Sequence, residues 1–270
     1  MDAVILGDGP LGRAIAAALV ERGDAVRIVS RPTTRDGRHD PATLAGADVV
    51  IDASRGTAVA ANVDDALAVG VRRFVIATTA WDADRTRVAR ALQEHDAAAV
   101  TAPNLALGMI LFGRLVDDAV ARFGRIAGWD PYIIEWHRRG KADRPSGTAR
   151  ALASRINAAQ PRLDHVADPA AERAEPDAIE VLGIRAGTNP GSHLVAFEGP
   201  GEVVEFRHAA RDRSAYASGA LAAADWLLAA TGPAGLHGID PVIDALLAAG
   251  EAPASTAPIA RATPEVALAR

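Results

Sequence analysis

One short segment, residues 133–149, combines a proton-transfer group, several cations and an anion-binding turn. Residues 133–135 are typical of the end of a β-strand. We therefore expect His137 and Lys141 to lie on the connection that leaves a sheet, where reacting groups are often held. An imidazole titrates near neutral pH and can pass a proton to a substrate, and a lysine supplies positive charge beside it.

A helix start follows these two residues. Ser146 is of a type that caps helix N-termini, and an apolar helical run follows it. We predict that the backbone N–H groups of Gly147 and Thr148 point outward at the positive end of the helix dipole, where a carboxylate binds well. The whole segment is therefore interpreted as an active site for an acidic substrate.

The start of the chain carries a glycine-rich turn. An apolar run over residues 3–6 leads into Gly7-Asp8-Gly9-Pro10-Leu11-Gly12, and a helical run over residues 13–20 follows. A strand followed by G-x-G-x-x-G and a helix is the pattern of a dinucleotide-binding turn. The alternative interpretation is an ordinary loop. Gly7 would allow the tight turn, Gly9 the approach of a pyrophosphate, and Gly12 close helix–strand packing. The cofactor-binding residues expected here are Gly7, Gly9, Pro10, Leu11 and Gly12.

The end of the second predicted strand, residues 25–29, indicates which dinucleotide binds. An acidic residue there would bind the ribose diol of NAD, but the chain has Ser30-Arg31. Arg31 would pair with a 2′-phosphate, Ser30 could donate a hydrogen bond, and Arg55 is a second cation. The pattern favours NADPH, with NADH as the alternative. A solvated surface arginine is the other interpretation of Arg31, since arginine is frequent in this chain.

Further buried runs alternate with helical stretches up to residue 101, which predicts a parallel sheet with right-handed crossovers. The ligand site of such a sheet lies at the carboxyl ends of its strands. We expect six residues at those ends to line the nicotinamide side: Ser54, Ala77, Thr78, Thr79, Pro103 and Asn104.

The pattern changes after residue 104. A long helical run leads to the His137 segment, and three strand-like runs joined by short turns follow at 179–184, 193–197 and 202–207. The predicted fold class is α/β, with a Rossmann-type dinucleotide-binding domain and a second α+β domain on a small mixed, mainly antiparallel sheet. The predicted division is a dinucleotide-binding domain (1–104 plus 215–250), a substrate-binding and oligomerisation domain (105–214) and a flexible tail (251–270).

The composition of the chain argues against several classes of function. The chain has 270 residues, a formal net charge of −5 and no cysteine. The net charge argues against a nucleic-acid partner, and the absence of cysteine excludes disulfides and thiolate metal sites. No run is long and apolar enough to span a membrane, and we expect a cytoplasmic protein. We expect no metal, since no histidines or carboxylates have the spacing of a ligand cluster.

Residues 135–149, with residues 102–104, residues 184–187 and the glycine-rich start, resemble the 4-hydroxy-tetrahydrodipicolinate (dihydrodipicolinate) reductases of bacterial lysine biosynthesis. The likeness covers almost the whole chain. It implies NAD(P)H-dependent reduction of a cyclic imine dicarboxylate to tetrahydrodipicolinate, on the route to diaminopimelate and lysine, usually by a homotetramer whose substrate-domain sheets associate. It also implies that His137 is the general acid/base, that Lys141 contacts substrate and assists protonation, and that Gly147 and Thr148 grip a substrate carboxylate.

The chain also departs from the family pattern. Arg138, expected among the substrate-binding residues with Ser146, Gly147 and Thr148, replaces a second histidine, and Ala53 replaces a phenylalanine. Ala77 and Ala80 replace glycines. These departures leave two alternatives: a related NADPH-dependent reductase for another cyclic imine or amino-acid precursor, and a non-catalytic dinucleotide-binding protein. Six further histidines lack comparable neighbours in the sequence and are interpreted as structural: His39, His95, His165, His193, His208 and His237.

Overall fold

The computed structural model describes residues 1–30, 38–160, 162–167, 173, 175–229 and 234–250. The first part of the chain alternates strands and helices. In chain order its elements are β1 (Asp2–Leu6), α1 (Pro10–Arg22), β2 (Ala25–Val29), α2 (Pro41–Leu44), β3 (Val49–Asp52), α3 (Val59–Ala68), β4 (Arg73–Ile76), α4 (Arg85–Glu94) and β5 (Ala98–Thr101).

The second part begins with a long helix and carries most of the longer strands. Its elements are α5 (Leu107–Phe123), β6 (Asp130–His137), α6 (Gly147–Ala159), β7 (His165–Val166), β8 (Ala178–Arg185), β9 (Ser192–Gly199), β10 (Glu202–Ala209), α7 (Ser214–Ala229), β11 (Gly235–His237) and α8 (Asp240–Ala249).

The first sheet has six parallel strands in the order β11-β5-β4-β3-β1-β2. The inner strands β3 and β5 are buried throughout, as expected for a parallel sheet covered on both faces. The predicted Rossmann-type sheet is therefore confirmed. The strand order reverses between β1 and β3, and ligands bind at such a switch point.

Two apolar layers sandwich this sheet, because successive side chains of a strand point to opposite faces. Ile5 and Ile51 pack with α1 and α7 on one face, whereas Val4 and Phe74 pack with α3 and α4 on the other. Close packing of α7 requires Gly219, where a Cβ would lie 1.8 Å from the Leu105 carbonyl oxygen. Helix α7 and strand β11 thus return the chain to the first sheet.

The second sheet has five strands in the order β10-β9-β6-β8-β7. Strand β9 runs antiparallel to β10 and β6, while β8 runs parallel to β6 and β7. The predicted mixed sheet is confirmed, and its antiparallel pairings are the longer ones. Helices α5 and α6 cover one face, with Ile133, Val195 and Phe197 in the core between them.

Several details differ from the sequence analysis. The short helix α2 and the two-residue strand β7 were not expected, because each lies in a polar stretch without a clear periodicity. The predicted flexible tail, residues 251–270, lies outside the described residues. Within the described part of the chain, no helix has the length and apolar character needed to cross a membrane.

Candidate active site

Three neighbouring strands bring four ionisable side chains together. Glu135 and His137 are two residues apart on β6 and so point to the same face. The strand register sets His193 of β9 opposite Glu135, and Arg185 of β8 opposite His137. Glu135 is fully buried, and His137 and His193 are nearly so.

His137 is the last residue of β6, so the prediction that it lies on the connection leaving the sheet is wrong. The pairing with β8 continues to the strand end, where the Ala186 N–H donates to the His137 carbonyl oxygen (3.1 Å). Lys141 does lie on the connection. A rigid ladder therefore holds the imidazole, which positions a side chain better than a loop does.

Glu135 is anchored through one of its two carboxylate oxygens. Oε1 accepts hydrogen bonds from the Ser146 backbone N–H (2.8 Å) and from Nη2 of Arg185 (2.7 Å). Burial alone would raise the pKa of Glu135, but the hydrogen bonds from Ser146 and Arg185 outweigh burial and hold that pKa below its usual value. The buried carboxylate is therefore charged and paired.

His137 lies against that carboxylate. Its Nδ1 is 3.2 Å from Glu135 Oε2. Burial lowers the pKa of His137; the Glu135 charge opposes this effect, while the Lys141 and Arg185 charges add to it. The net result is a pKa of His137 below its usual value, which favours the neutral ring.

His193 completes the cluster, through neighbours in space that the sequence does not show. Its ring meets that of His137 edge-on, with centroids 5.2 Å apart. Burial, and then the neighbouring His137, lower the pKa of His193 to about 4. His193 is neutral near pH 7 and packs beside His137 without adding charge.

Lys141 and the start of α6 form the cationic side of the site. Ser146 caps α6 as predicted, because its Oγ accepts the Ala149 N–H (3.1 Å). The prediction that the Gly147 N–H is free is wrong, because it donates to Asp143 Oδ2 (3.3 Å). The other carboxylate oxygen, Asp143 Oδ1, is 2.7 Å from Lys141 Nζ. Lys141 is also the main cause of the lowered pKa of Asp143. A carboxylate of the protein itself therefore bridges the predicted anion-binding groups.

The remaining predicted substrate residues surround this bridge. Thr148 follows Gly147 in the first turn of α6 and is half-buried. Arg138 follows His137 directly and is exposed. The segment thus presents cations to solvent beside the buried imidazole, which suits an anionic ligand.

The glycine-rich turn fits a dinucleotide pyrophosphate. A Cβ on Gly7 (φ +113°) would lie 2.4 Å from the Ala53 carbonyl oxygen, and a Cβ on Gly12 would lie 2.1 Å from that of Gly7. These two glycines allow close backbone packing, as predicted. Around Gly9 no atom lies within 4 Å of a Cβ, so this position faces open space at the N-terminus of α1. Exposed Pro10 and half-buried Leu11 begin that helix.

Polar side chains at the ends of β3 and β4 are engaged with one another. Asp52 Oδ1 accepts the hydroxyl hydrogens of Ser54 (2.7 Å) and Thr78 (2.6 Å), and Asp52 Oδ2 accepts from Asn62 Nδ2 (2.7 Å). The Ser54 backbone N–H also donates to Asp52 Oδ1 (3.0 Å), and Ser54 Oγ accepts from Asn62 Nδ2 (3.1 Å). The hydroxyl hydrogens of Ser54 and Thr78 are therefore used within the protein. The network fixes the loops that follow both strands.

The other predicted cofactor residues lie as follows. Ala77 is buried at the end of β4, while Thr79, Arg55 and Ser30 are exposed. Pro103 is exposed after β5, and the side-chain oxygen of Asn104 accepts the Ala106 N–H (2.9 Å) before α5. Arg31 lies outside the described residues.

The structure also creates groupings with metal-ligand character, contrary to the expectation from spacing. Ligand atoms of Glu135, His137 and His193 lie within 4.8 Å of one another, and so do those of the exposed residues Asp164, His165 and Asp177. In the buried group, Arg185 already binds the Glu135 carboxylate. Since hydride transfer requires no metal, the absence of a metal stays our prediction.

Sequence reasoning missed Glu135, Arg185 and His193 as site residues. Glu135 carried a signal, since residues two apart on a strand share a face. Arg185 and His193 carried none, because only the register of β8 and β9 against β6 brings them to His137.

Comparisons with known proteins agree with one another. The family model for the N-terminus of dihydrodipicolinate reductase matches residues 1–105, and the model for its C-terminus matches residues 108–243. The chain is 34% identical over 181 residues to a 4-hydroxy-tetrahydrodipicolinate reductase of Methanosarcina barkeri, covering 67% of this chain and 68% of that protein. It is 36% identical over 205 residues to the enzyme of the same name from Wolinella succinogenes, covering 73% and 76%.

A solved structure with the same fold is the dipicolinate-bound dihydrodipicolinate reductase from Paenisporosarcina sp. TG-14. Its TM-score is 0.69 at 21% identity, and the match covers 88% of this chain and 97% of that chain. A probable dehydrogenase from Thermotoga maritima matches with a TM-score of 0.53 at 13% identity, covering 92% and 94%.

Proposed function

The chain belongs to the dihydrodipicolinate reductase family, and from that premise we propose that it reduces 4-hydroxy-tetrahydrodipicolinate to tetrahydrodipicolinate in lysine and diaminopimelate biosynthesis. The single observation that carries the proposal is the buried His137 beside Lys141 and the start of α6. These groups supply a proton and bind carboxylates, and the reaction needs both.

Each group has a distinct task in this proposal. A bound reduced nicotinamide supplies the hydride, and Gly9 at the start of α1 would hold its pyrophosphate. The 4-hydroxyl of the substrate leaves as water together with one ring hydrogen, and the hydride and a proton from His137 take their places on the ring. Lys141 stabilises the negative charge that develops on the substrate. A substrate carboxylate takes the place of the Asp143 carboxylate at Lys141 and the N–H of Gly147, with Thr148 and Arg138 beside it.

We propose NADPH as the preferred cofactor, with NADH as a weaker substitute. The support is the sequence Ser30-Arg31 after β2, where NAD-specific proteins carry an acidic residue. Comparing kcat/KM for the two cofactors tests this preference. An Arg31→Ala variant should no longer prefer NADPH over NADH. Equal kcat/KM values for the two cofactors in the parent protein would contradict the proposed preference.

We also propose that the chain forms a homotetramer through its second sheet. The sheet face opposite α5 and α6 exposes Trp136 (40%), Leu182 (54%) and Ile184 (39%). A contiguous apolar face of this kind favours self-association. Light scattering on the purified protein should give four times the chain mass of 27.9 kDa; a monomer would refute the assembly and leave the reductase proposal standing.

The proposed domain division places residues 1–104 and 215–250 around the cofactor and residues 105–214 around the substrate. The pairing of β11 with β5 and the packing of α7 on the first sheet support it. We further propose that the enzyme works in the cytoplasm, where the pyridine nucleotide pool and amino-acid biosynthesis are found.

The proposed function is tested by measuring the absorbance of the reduced cofactor over time. The cyclic substrate is generated in the same solution by the aldolase that precedes this step in the pathway. We expect oxidation that depends on substrate, and a loss of about 10²–10⁴-fold in kcat for His137→Ala, the usual contribution of a general acid. His95→Ala is the matched control, since His95 is exposed and its Nδ1 lies 2.9 Å from the Ala91 carbonyl oxygen of the preceding helix α4. Cofactor binding without turnover would favour the related-reductase alternative, and a folded protein that binds no dinucleotide would refute both.

A further inference from the structure

The carboxylate of Glu135 uses its two oxygens differently. Oε1 is occupied by the Ser146 N–H and by Arg185, which fix the orientation of the whole group. Room for this arrangement depends on Gly183 of β8, where a Cβ would lie 3.1 Å from Oε1 and 3.0 Å from Arg144 Cγ. Rotation of the carboxylate would break two charge-assisted hydrogen bonds at a fully buried position, so its orientation is rigid.

The second oxygen is left for the imidazoles. Oε2 lies 3.2 Å from Nδ1 of His137 and 3.7 Å from Nε2 of His193. Among the described residues, neither Oε2 nor His137 Nδ1 has a hydrogen-bond partner, because their 3.2 Å contact is close enough for a hydrogen bond but not aligned as one. The contact with His137 is within hydrogen-bond distance and the contact with His193 is not, so His137 is the residue that Oε2 can bind. A small rotation of the His137 ring brings its N–H into line.

The opposite nitrogen of His137 has a different environment. Nε2 lies beside Gly191, where a Cβ would stand only 2.9 Å away. The Gly191 backbone therefore packs close to this edge of the ring, with no side chain to cover it. Nδ1 is buried against Glu135 Oε2, so Nε2 is the nitrogen left for a ligand.

We propose that Glu135 is a positioning residue that binds the Nδ1–H of His137, thereby making Nε2 the nitrogen that gives its proton to the substrate. This inference rests on the proposed role of His137 as the acid. The protonated imidazole releases the Nε2 proton as the hydride is added elsewhere on the substrate. It is left neutral with the hydrogen on Nδ1, and solvent then restores the Nε2 proton.

Glu135 also supports the protonated form of His137. The charged or titratable groups facing His137 are Glu135 on its own strand, His193 on β9, Arg185 on β8, and Lys141 and Asp143 on the connection. Burial, Lys141 and Arg185 all disfavour the imidazolium, whereas Glu135 and, to a smaller extent, Asp143 favour it. Removing the Glu135 charge therefore leaves less of the protein in the acidic form at a given pH.

The Glu135→Gln variant tests the proposal. Arg185 and the Ser146 N–H are donors and will bind the amide oxygen, so the amide NH₂ faces Nδ1 of His137. An N–H directed at Nδ1 opposes the imidazolium, and we expect kcat to fall about 100-fold. We also expect the decline in activity with rising pH to begin at lower pH than in the parent enzyme. Glu180→Gln, an exposed carboxylate on β8, should leave both unchanged.

A measurement on the unmodified protein keeps the proposal testable even if Glu135→Gln does not fold. The ¹⁵N shifts of His137, assigned by their loss in His137→Gln, report which nitrogen carries hydrogen in the neutral ring. We expect Nδ1–H. Finding Nε2–H would overturn the proposal, and so would a Glu135→Gln enzyme whose pH profile matches the parent. Absent reductase activity together with an Nδ1–H signal would refute the function but retain the Glu135–His137 interaction.

Discussion

Gly191→Ala should impair catalysis, with a separate cost in stability because Gly191 has a φ of +156°. The new Cβ would stand 2.9 Å from His137 Nε2 and 3.1 Å from its Cδ2, whereas ordinary contacts begin near 3.4 Å. The imidazole must therefore move by about 0.5 Å, because two hydrogen bonds hold the loop: the Gly191 N–H donates to Asn189 Oδ1, and the Ala210 N–H donates to the Gly191 carbonyl oxygen. A displacement of about 1 Å costs roughly 100-fold in rate, so we expect kcat to fall about 10- to 100-fold.

The matched control is Gly187→Ala. Gly187 has a left-handed φ of +60°, but nothing lies within 4 Å of its Cβ position. That variant should lose about 1–2 kcal/mol of unfolding free energy from backbone strain and keep its kcat. Urea unfolding and steady-state kinetics on both variants separate the two effects. A folded Gly191→Ala enzyme with the kcat of the Gly187→Ala enzyme would refute the assignment of Nε2 as the reacting edge.

Two further predictions concern the cofactor turn and pH. Gly9→Ala should fold normally but lose most of its affinity for NADPH, measured by calorimetry, because its Cβ enters the open space at the start of α1. Gly7→Ala should unfold readily, because its Cβ meets the Ala53 carbonyl oxygen. Equal NADPH binding by Gly9→Ala and the parent protein would contradict the role of the turn. His193 has a folded-state pKa of about 4 against 6.5 in the unfolded chain, so its contribution is complete above about pH 6.5 and is lost as pH falls toward 4. The loss should reach about 3 kcal/mol, and urea titrations near pH 7 and pH 5 should show a smaller decline in His193→Gln.

The first sheet and its cofactor turn could be predicted because their signals are local. Buried strands in a parallel sheet are continuous apolar runs, and β3, β4 and β5 each read that way in the sequence. The glycine at residue 12 is required by a contact with Gly7 in the same turn, and the glycine pattern predicted residue 7 although its contact, with Ala53 after β3, is distant in the sequence. Local patterns of this kind need no knowledge of tertiary structure.

The second half of the site could not be predicted in the same way. His193 and Arg185 reach His137 only because β9 and β8 flank β6 in one particular register. A shift of one residue would turn either side chain to the opposite face of the sheet. Gly147 is a different case: its helix cap was visible in the sequence, but the local turn that brings the Asp143 carboxylate to its N–H was not.

The departures from the family pattern also gain a structural context. Ala80 adopts a left-handed φ of +59°, a conformation that favours glycine, and its carbonyl oxygen lies 2.0 Å from where a Cβ of Gly56 would stand. The loops after β3 and β4 are thus in close contact. A glycine at residue 56 accommodates this contact, and the strain at Ala80 is held by the surrounding backbone.

A crystal structure with NADPH and a cyclic dicarboxylate analogue would test the central claim most directly. We predict the pyrophosphate over Gly9 at the start of α1, an analogue carboxylate in place of Asp143 at the N–H of Gly147, and His137 Nε2 within hydrogen-bond distance of the analogue ring. A dinucleotide bound away from residues 7–12, or a His137 ring out of reach of the analogue after domain closure, would contradict it.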